Sequence, residues 1–290
     1  MRLAVLYNPA AGRGRARLHV GEAEGMLRAA GAEVLHYESK SREHMIEMAR
    51  QLTPENCDRA VVCGGDGSFH LALRGLDLRI PLAVLPLGSG DDFAKTIGVP
   101  SRLELACDTV VNGVIREIDV GVANGLRYIG VAGVGFDSVV AARANRVKYL
   151  RGSLVYLYSI FSVLPSFKAV PMTIAIDGVA ETEEVMFAVV GNTHRYGAGV
   201  LIAPAAKVDD GLLDLYVIGK CGMWDLLTTL PKAYTGKHVN SPFVRSARGR
   251  AMRIETATPM EVYADGEPLT STPVEISIAP EKLKIIVPRG

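Results

Sequence analysis

The residues best placed to do chemistry in this 290-residue chain are Gly64-Gly65-Asp66-Gly67-Ser68. They follow an apolar run, Ala60-Val61-Val62-Cys63, and precede a helical pattern from Phe69 to Leu73. Glycines let a backbone turn tightly and come close to a ligand, because no Cβ is in the way. A helix N-terminus after such a turn offers N–H groups and a positive dipole end, which suit phosphate. Asp66 would repel a bare phosphate. It makes sense if Mg²⁺, or a water on Mg²⁺, lies between them, since that ion takes one or two carboxylates plus phosphate oxygens. The loop therefore reads as a Mg–nucleotide site. A plain strand-to-helix turn with Asp66 and Ser68 as caps would use the same residues.

Four more constellations share this texture. Asn8-Pro9-Ala10-Ala11-Gly12-Arg13-Gly14 follows the first strand and suits a phosphate or ribose, but it lacks the Gly-Lys-Ser/Thr end of a Walker loop. Pro86-Leu87-Gly88-Ser89-Gly90-Asp91-Asp92-Phe93-Ala94 repeats the idea of glycines, a hydroxyl and carboxylates opening a helix; Asp91 or Asp92 as a simple N-cap is the competing reading. Lys207-Val208-Asp209-Asp210-Gly211-Leu212-Leu213-Asp214 gathers three carboxylates near a glycine, either a hard-cation site built on Asp210 and backbone carbonyls or an acidic turn before a strand. Asp265-Gly266-Glu267 looks like a hairpin tip whose carboxylates could serve as a general base for a hydroxyl nucleophile.

The elements that must position these loops follow two patterns. Leu3–Tyr7, Ala32–Tyr37, Arg59–Cys63 and Leu82–Leu85 read as strands. Helices at Gly14–Ala30, closed by Gly31, and at Arg42–Leu52, stopped by Pro54, alternate with the first three. That alternation predicts an α/β fold with a parallel sheet, in which ligands sit at the carboxyl ends of strands. Past Asp119 the segments are short and alternating (Arg127–Ala132, Met172–Ile176, Glu184–Val190, Leu213–Val217, Met252–Thr256, Glu261–Ala264, Val274–Ile278), which predicts a mostly antiparallel β domain. One helical stretch, Ser138–Val163, interrupts them. The expected division is 1–121 and 122–280.

Composition sets the limits. Hydrophobic residues at 49% and charged residues at 22% supply a sizeable core and exclude disorder. A net charge of +1 gives no whole-molecule field toward nucleic acid, and none is expected as a partner. The clusters Arg143/Arg146/Lys148/Arg151 and Arg245/Arg248/Arg250/Arg253 read as solvated surface, with a binding role as the alternative. The four cysteines, Cys57, Cys63, Cys107 and Cys221, form no C-x-x-C pair, which suits a reducing cytoplasm. The N-terminal apolar run reads as a strand rather than a signal peptide. The longest apolar stretch, Leu154–Leu164, is too short to span a bilayer and is expected to be a core helix or one that touches lipid at an interface.

The order N-P-x-x-G, G-G-D-G-S, P-L-G-S-G-D-D-F-A, D-D-G-L-L-D, D-G-E resembles the diacylglycerol kinase catalytic-domain family, in its bacterial lipid kinase branch, from Leu3 to the C-terminal strand. Its last three motifs argue against the related NAD kinases and phosphofructokinases, which share only the G-G-D-G loop. The resemblance implies an NAD kinase/diacylglycerol kinase-like nucleotide-binding domain followed by a β-rich lipid-substrate domain. The nucleotide would lie in the cleft between them, and residues 281–290 would return to the first. It implies ATP and Mg²⁺ as cofactors and an amphiphilic, diacylglycerol-like acceptor. Peripheral contact with the inner face of the membrane and a homodimer are further expectations. Carried over by position, Asn8, Pro9, Ala10, Ala11, Gly12, Ser39, Gly64, Gly65, Asp66, Gly67, Ser68, Phe69, His70, Leu71, Gly88, Ser89 and Gly90 belong to the ATP-contacting segments. Asp66 and Asp119 match acids that organise Mg²⁺ through water. Lys207 and Leu212 (by carbonyl) and Asp210 match a structural metal site, and Glu267 matches the base, with Asp265 beside it. Two departures stand out: Ser89-Gly90-Asp91-Asp92 replaces the family's usual Thr-Gly-Asn-Asp, and His70 stands where Asn is common. The alternatives are a kinase of a soluble small molecule or dinucleotide and a non-catalytic nucleotide- or lipid-binding relative.

Overall fold

The computed structural model describes residues 1–88, 90–147, 150, 153–195 and 199–289. The chain forms two compact units, one of residues 1–118 with 280–290 and the other of 119–279.

In the first unit, β1 (Arg2–Tyr7), α1 (Arg15–Ala29), β2 (Glu33–Glu38), α2 (Arg42–Arg50), β3 (Arg59–Gly64), α3 (Asp66–Gly75), β4 (Leu82–Pro86), α4 (Asp92–Thr96), α5 (Leu103–Asn112) and β5 (Val114–Ile118) follow in order. The sheet runs β2-β1-β3-β4, then the chain's last strand, Leu283–Val287, then β5. All its pairings are parallel except that of the last strand with β5. Buried apolar residues run almost unbroken along β1, β3 and β4 (Leu3 to Tyr7, Ala60 to Gly64, Leu82 to Pro86), as expected of parallel strands covered on both faces. The helix boundaries follow local chemistry. Ser41 caps α2 by accepting the His44 N–H at 3.1 Å. Gly31, at φ +84°, takes the left-handed turn that closes α1.

The second unit holds β6 (Gly121–Ala123), β7 (Leu126–Tyr128), β8 (Val131–Gly135), α6 (Phe136–Arg146), α7 (Ser153–Val163), β9 (Val170–Ile176), β10 (Val179–Gly191), β11 (Leu213–Gly219), α8 (Met223–Ala233), β12 (Val244–Gly249), β13 (Ala251–Thr256), β14 (Glu261–Ala264), β15 (Glu267–Ser271) and β16 (Val274–Ile278). Its strands join one antiparallel sheet in the order β15-β14-β8-β10-β9-β13-β16-β6-β7, with β11 and β12 branching from β10. Strand alternation separates two cores. Leu213, Leu215 and Val217 of β11 join one with Val134, Val190 and Ile254. Tyr216 and Ile218 join the other, which α6, α7 and α8 cover through Val140, Val163 and Leu226.

Two helical expectations need correction. The stretch 138–163 is two helices, because the chain turns extended at Val147 (φ −84°, ψ 110°). Helix α8 was not foreseen; its buried Leu226, Thr229 and Ala233 have helical spacing, but β-branched threonines and Pro231 mask it. The apolar stretch 154–164 is core on one side only: Val163 and Leu164 are buried, whereas Leu154, Leu157 and Phe161 are exposed. Cys57, Cys63 and Cys107 are buried free thiols and Cys221 is partly exposed. No helix among the described residues is long and apolar enough to cross a membrane.

Tyr128, the largest fully buried side chain among the described residues, packs on Gly121, where a Cβ would lie 2.3 Å from its ring, and its hydroxyl has no hydrogen-bond partner among them. An unpaired buried hydroxyl costs about 1–3 kcal/mol. Tyr128→Phe is therefore expected to raise unfolding stability by about 1 kcal/mol in a denaturant titration; a comparable loss would show that the hydroxyl is satisfied.

Candidate functional site

Loops leave the carboxyl ends of β1, β2, β3 and β4 on one edge of the first unit's sheet, where ligands of such sheets bind. In the first loop Asn8 makes an Asx turn: its Oδ1 accepts the Ala10 N–H and its carbonyl the Ala11 N–H, both at 2.9 Å. Gly12, Arg13 and Gly14 then take three successive left-handed conformations. Ser39, after β2, is buried and donates its N–H to the Tyr7 carbonyl at 2.9 Å. The loops touch through glycines. A Cβ on Gly12 would lie 2.1 Å from the Leu87 carbonyl oxygen, and one on Gly88 would lie 2.3 Å from the Gly65 Cα. The Leu87 N–H reaches the Gly64 carbonyl at 3.1 Å, and the Arg15 guanidinium reaches the Gly88 carbonyl at 2.9 Å.

Gly65, not Asp66 or Ser68, is the N-cap of α3, and Asp66 is its first helical residue. The Asp66 carboxylate instead caps α4. Its two oxygens accept the Asp92 N–H at 3.1 Å and the Phe93 N–H at 2.9 Å. Asp91, at φ +55°, turns its Oδ1 back onto the Gly88 N–H at 3.0 Å. An asparagine oxygen would make the same bond, so the Asp91 departure preserves the loop's geometry. Burial pushes the Asp66 carboxyl up to about 6; the two N–H bonds oppose the rise, and the Asp92 and Asp91 carboxylates add to it. Burial likewise raises the Asp91 carboxyl.

The G-G-D-G-S turn reaches further in sequence than its exposed part. Phe69, His70 and Leu71 are buried, and Phe69 stacks on Phe93 with ring centroids 4.4 Å apart. Gly65, Asp66 and Gly67 ahead of them are half-buried. Ser89 lies outside the described residues; Gly90 beside it accepts the Lys95 ammonium on its carbonyl at 2.6 Å.

In the second unit Asp265-Gly266 form the tip between β14 and β15, both at positive φ, the conformation a two-residue hairpin requires. The Asp265 carboxylate is bound by three backbone N–H groups: Ile129 at 3.0 Å, Gly130 at 2.8 Å and Val131 at 3.1 Å. Asn145 of α6 donates to the Gly266 carbonyl at 3.0 Å. Glu267 follows at the first position of β15, half-buried. Asn192, fully buried, joins the segments behind this tip by donating to the Asp119 carbonyl at 3.0 Å and the Ile129 carbonyl at 2.8 Å. Sequence reasoning passed over Asn145 and Asn192. The one available signal was the polar Asn192-Thr193 directly after the apolar run that ends β10.

Asp66 belongs to the first unit and Asp119 to the second. Asp119 is buried, and its carboxylate accepts the Gly211 N–H at 2.7 Å, so it holds the 207–214 loop. Asp210 pairs with the Arg248 guanidinium, which also lies 3.1 Å from the buried Asp214, while its other oxygen accepts the Leu212 N–H at 3.2 Å. Of the set Lys207, Asp210 and Leu212, the structure thus shows Asp210 and Leu212 joined by a hydrogen bond and Asp210 paired with a guanidinium. No group of three His, Cys, Asp or Glu side chains suited to a metal occurs among the described residues. Of the other basic cluster, Arg245 pairs with Glu183 and Arg253 with Glu255 and Glu275.

A family model described as the diacylglycerol kinase catalytic domain matches residues 2–123, and one described as the YegS C-terminal NAD kinase beta sandwich-like domain matches 130–287. A Mycobacterium tuberculosis protein named diacylglycerol kinase is 32% identical over 99% of this chain and 96% of its own. One of the same name from Bacillus subtilis is 27% identical over 99% and 97%. A solved Bacillus anthracis structure superposes with a TM-score of 0.81 at 25% identity, covering 99% of this chain and 96% of that one. An Archaeoglobus fulgidus NAD kinase shares the fold, with a TM-score of 0.55 at 15% identity over 99% and 93%.

A carboxyl whose folded value lies above its unfolded one, near 3.9, binds extra protons in the folded state. Stability then falls as pH rises from about 4, through the Asp66 value of about 6, and levels off above it. Denaturant titrations between pH 4 and 7 are expected to show that decline, and Asp66→Asn is expected to reduce its slope. An unchanged slope in the variant would assign the decline elsewhere.

Proposed function

The chain belongs to the diacylglycerol kinase catalytic-domain family, and from that premise we propose that it transfers the γ-phosphoryl group of ATP to the hydroxyl of a diacylglycerol-like lipid. Glu267 takes the acceptor's hydroxyl proton as the oxygen bonds to the γ-phosphorus. The bond from that phosphorus to the bridging oxygen breaks, and ADP leaves. The Gly65–Gly67 backbone and the Asn8–Gly12 turn hold the polyphosphate. Asp66 would hold Mg²⁺, which would supply neutralisation of phosphate charge. The fit there is geometric: each Asp66 oxygen accepts one backbone N–H and keeps a lone pair, and the Asp91 and Asp92 carboxylates add negative charge nearby. An ion that retains waters and leans on substrate phosphates needs no cage of three side chains.

The hairpin tip carries the assignment of roles. Both Asp265 oxygens are occupied by the N–H groups of residues 129–131, so Asp265 fixes the tip and Glu267 does the proton chemistry. In this reading Asp265 acts on the chemistry by aligning Glu267.

The test is labelled ATP with Mg²⁺ against lipid extract in mixed micelles, with products separated by lipid chromatography. A labelled organic-phase product is expected. Label confined to the aqueous phase would overturn the lipid acceptor. Glu267→Ala is expected to lower kcat by about 10²–10⁴ with ATP affinity unchanged. Asp265→Ala is expected to destabilise the fold by about 2 kcal/mol or more, since it strands three N–H groups. Full activity in Glu267→Ala would remove the base assignment.

A further inference from the structure

A line of polar contacts between α1, β1 and β2 ends on Glu38, a residue that no motif singled out. Glu24 of α1, only 6% exposed, accepts the Arg28 guanidinium at 3.1 Å and meets the His36 ring nitrogen at 2.5 Å. The His36 and Tyr7 rings meet edge to face, with centroids 5.0 Å apart. Tyr7 in turn donates its hydroxyl to Glu38 Oε2 at 2.5 Å. Burial and the bond to Glu38 push the Tyr7 hydroxyl up to about 12, so it stays protonated and remains a donor. Register sets Glu38 level with Tyr7, and strand alternation puts His36 and Glu38 on the same side of β2. Glu38 itself is exposed. Of its carboxylate only Oε2 has a partner among the described residues, which leaves Oε1 and a second lone pair on Oε2. An exposed glutamate ordinarily swings freely in water; the Tyr7 hydroxyl orders this one before any ligand arrives.

Topology gives that carboxylate a ligand. In the strand order β2-β1-β3-β4 the chain leaves β1 toward β2 and leaves β3 toward β4, so the crevice for a ligand opens between β1 and β3. The Asn8–Gly14 and Gly64–Ser68 turns leave the two strands that border it. The strand on the other side of β1 ends at Glu38, directly before the buried Ser39, whose N–H is tied to the Tyr7 carbonyl. In nucleotide-binding parallel sheets an acid at the end of that neighbouring strand, beside the turn that follows the first strand, accepts ribose hydroxyls. A vicinal diol offers two O–H donors on adjacent carbons, and one carboxylate offers two acceptor oxygens to match. We propose that Glu38 binds the ribose 2′- and 3′-hydroxyls of the nucleotide and that Tyr7 is the residue that positions it. This rests on the reading of the chain as an ATP-using kinase, and it names the group that tells a ribonucleotide from a deoxyribonucleotide.

Equilibrium dialysis of the full chain against labelled ATP, 2′-deoxy-ATP, 3′-deoxy-ATP and 2′,3′-dideoxy-ATP reads the contact without turnover. Loss of either hydroxyl is expected to weaken binding about 10- to 100-fold, the range for a hydrogen bond to a charged group. Glu38→Gln keeps an oxygen for the Tyr7 hydroxyl but loses the charge. It is expected to lower the preference for ATP over 2′-deoxy-ATP by about fivefold or more, toward the smaller worth of a neutral bond. Tyr7→Phe is expected to lower that preference as well. Both variants should bind 2′,3′-dideoxy-ATP as the unaltered chain does, a readout that a merely structural defect would move. Equal affinity of the unaltered chain for all four nucleotides would overturn the ribose contact and leave the kinase reading standing. A preference that survives intact in Glu38→Gln would overturn the assignment to Glu38. A preference lost in Glu38→Gln, with no label transferred to lipid, would uphold the contact and count against the lipid acceptor. No binding of ATP at millimolar concentration would overturn both.

Discussion

Backbone N–H groups stranded where loops leave the strands are the constraint on which both units depend, and aspartate carboxylates satisfy them. Asp66 serves Asp92 and Phe93, Asp91 serves Gly88, Asp119 serves Gly211, and Asp265 serves residues 129–131. Each bond joins a charged acceptor to a backbone donor, the stronger class of hydrogen bond. Except for Asp91, each ties together segments far apart in sequence. The glycines matter for the same reason: backbones that must meet at the Gly65–Gly88 and Gly12–Leu87 contacts leave no room for a Cβ.

This constraint explains which parts of the site could be read in advance. The positions of the carboxylates beside glycines were legible, because turn chemistry is local. Their partners were not: Asp66 caps a helix 26 residues away and Asp265 binds N–H groups about 135 residues upstream. Only topology brings those together. Asp210 shows the same limit. Its motif names no partner, and the guanidinium it meets belongs to Arg248, 38 residues on, in β12.

The fold was legible for similar reasons. Apolar runs such as Leu3–Tyr7 and Ala60–Cys63 belong to strands buried on both faces, and their spacing by helices fixes a parallel sheet. Alternation in Leu213–Val217 announced a two-faced antiparallel sheet, and the structure gives each face its own core. The helical layer of the second unit was harder to read. The break at Val147 has no proline to announce it, and α8 owes its place to Leu226 packing on the sheet more than to propensity.

Of the two departures from the family's motifs, His70 is fully buried, and Asp91 is absorbed by the same local bonding. Asp91 adds a charge, but that charge is turned onto the Gly88 N–H, and Arg15 and Lys95 lie close enough to offset part of the burial that raises it. What Asp91 changes is therefore the charge density behind the loop rather than the loop's shape. A carboxylate there also adds to the rise of Asp66. The substitution and the neighbouring acid act in one direction. Both keep negative charge crowded at the edge of the sheet, and each carboxylate there raises the cost of charging its neighbour.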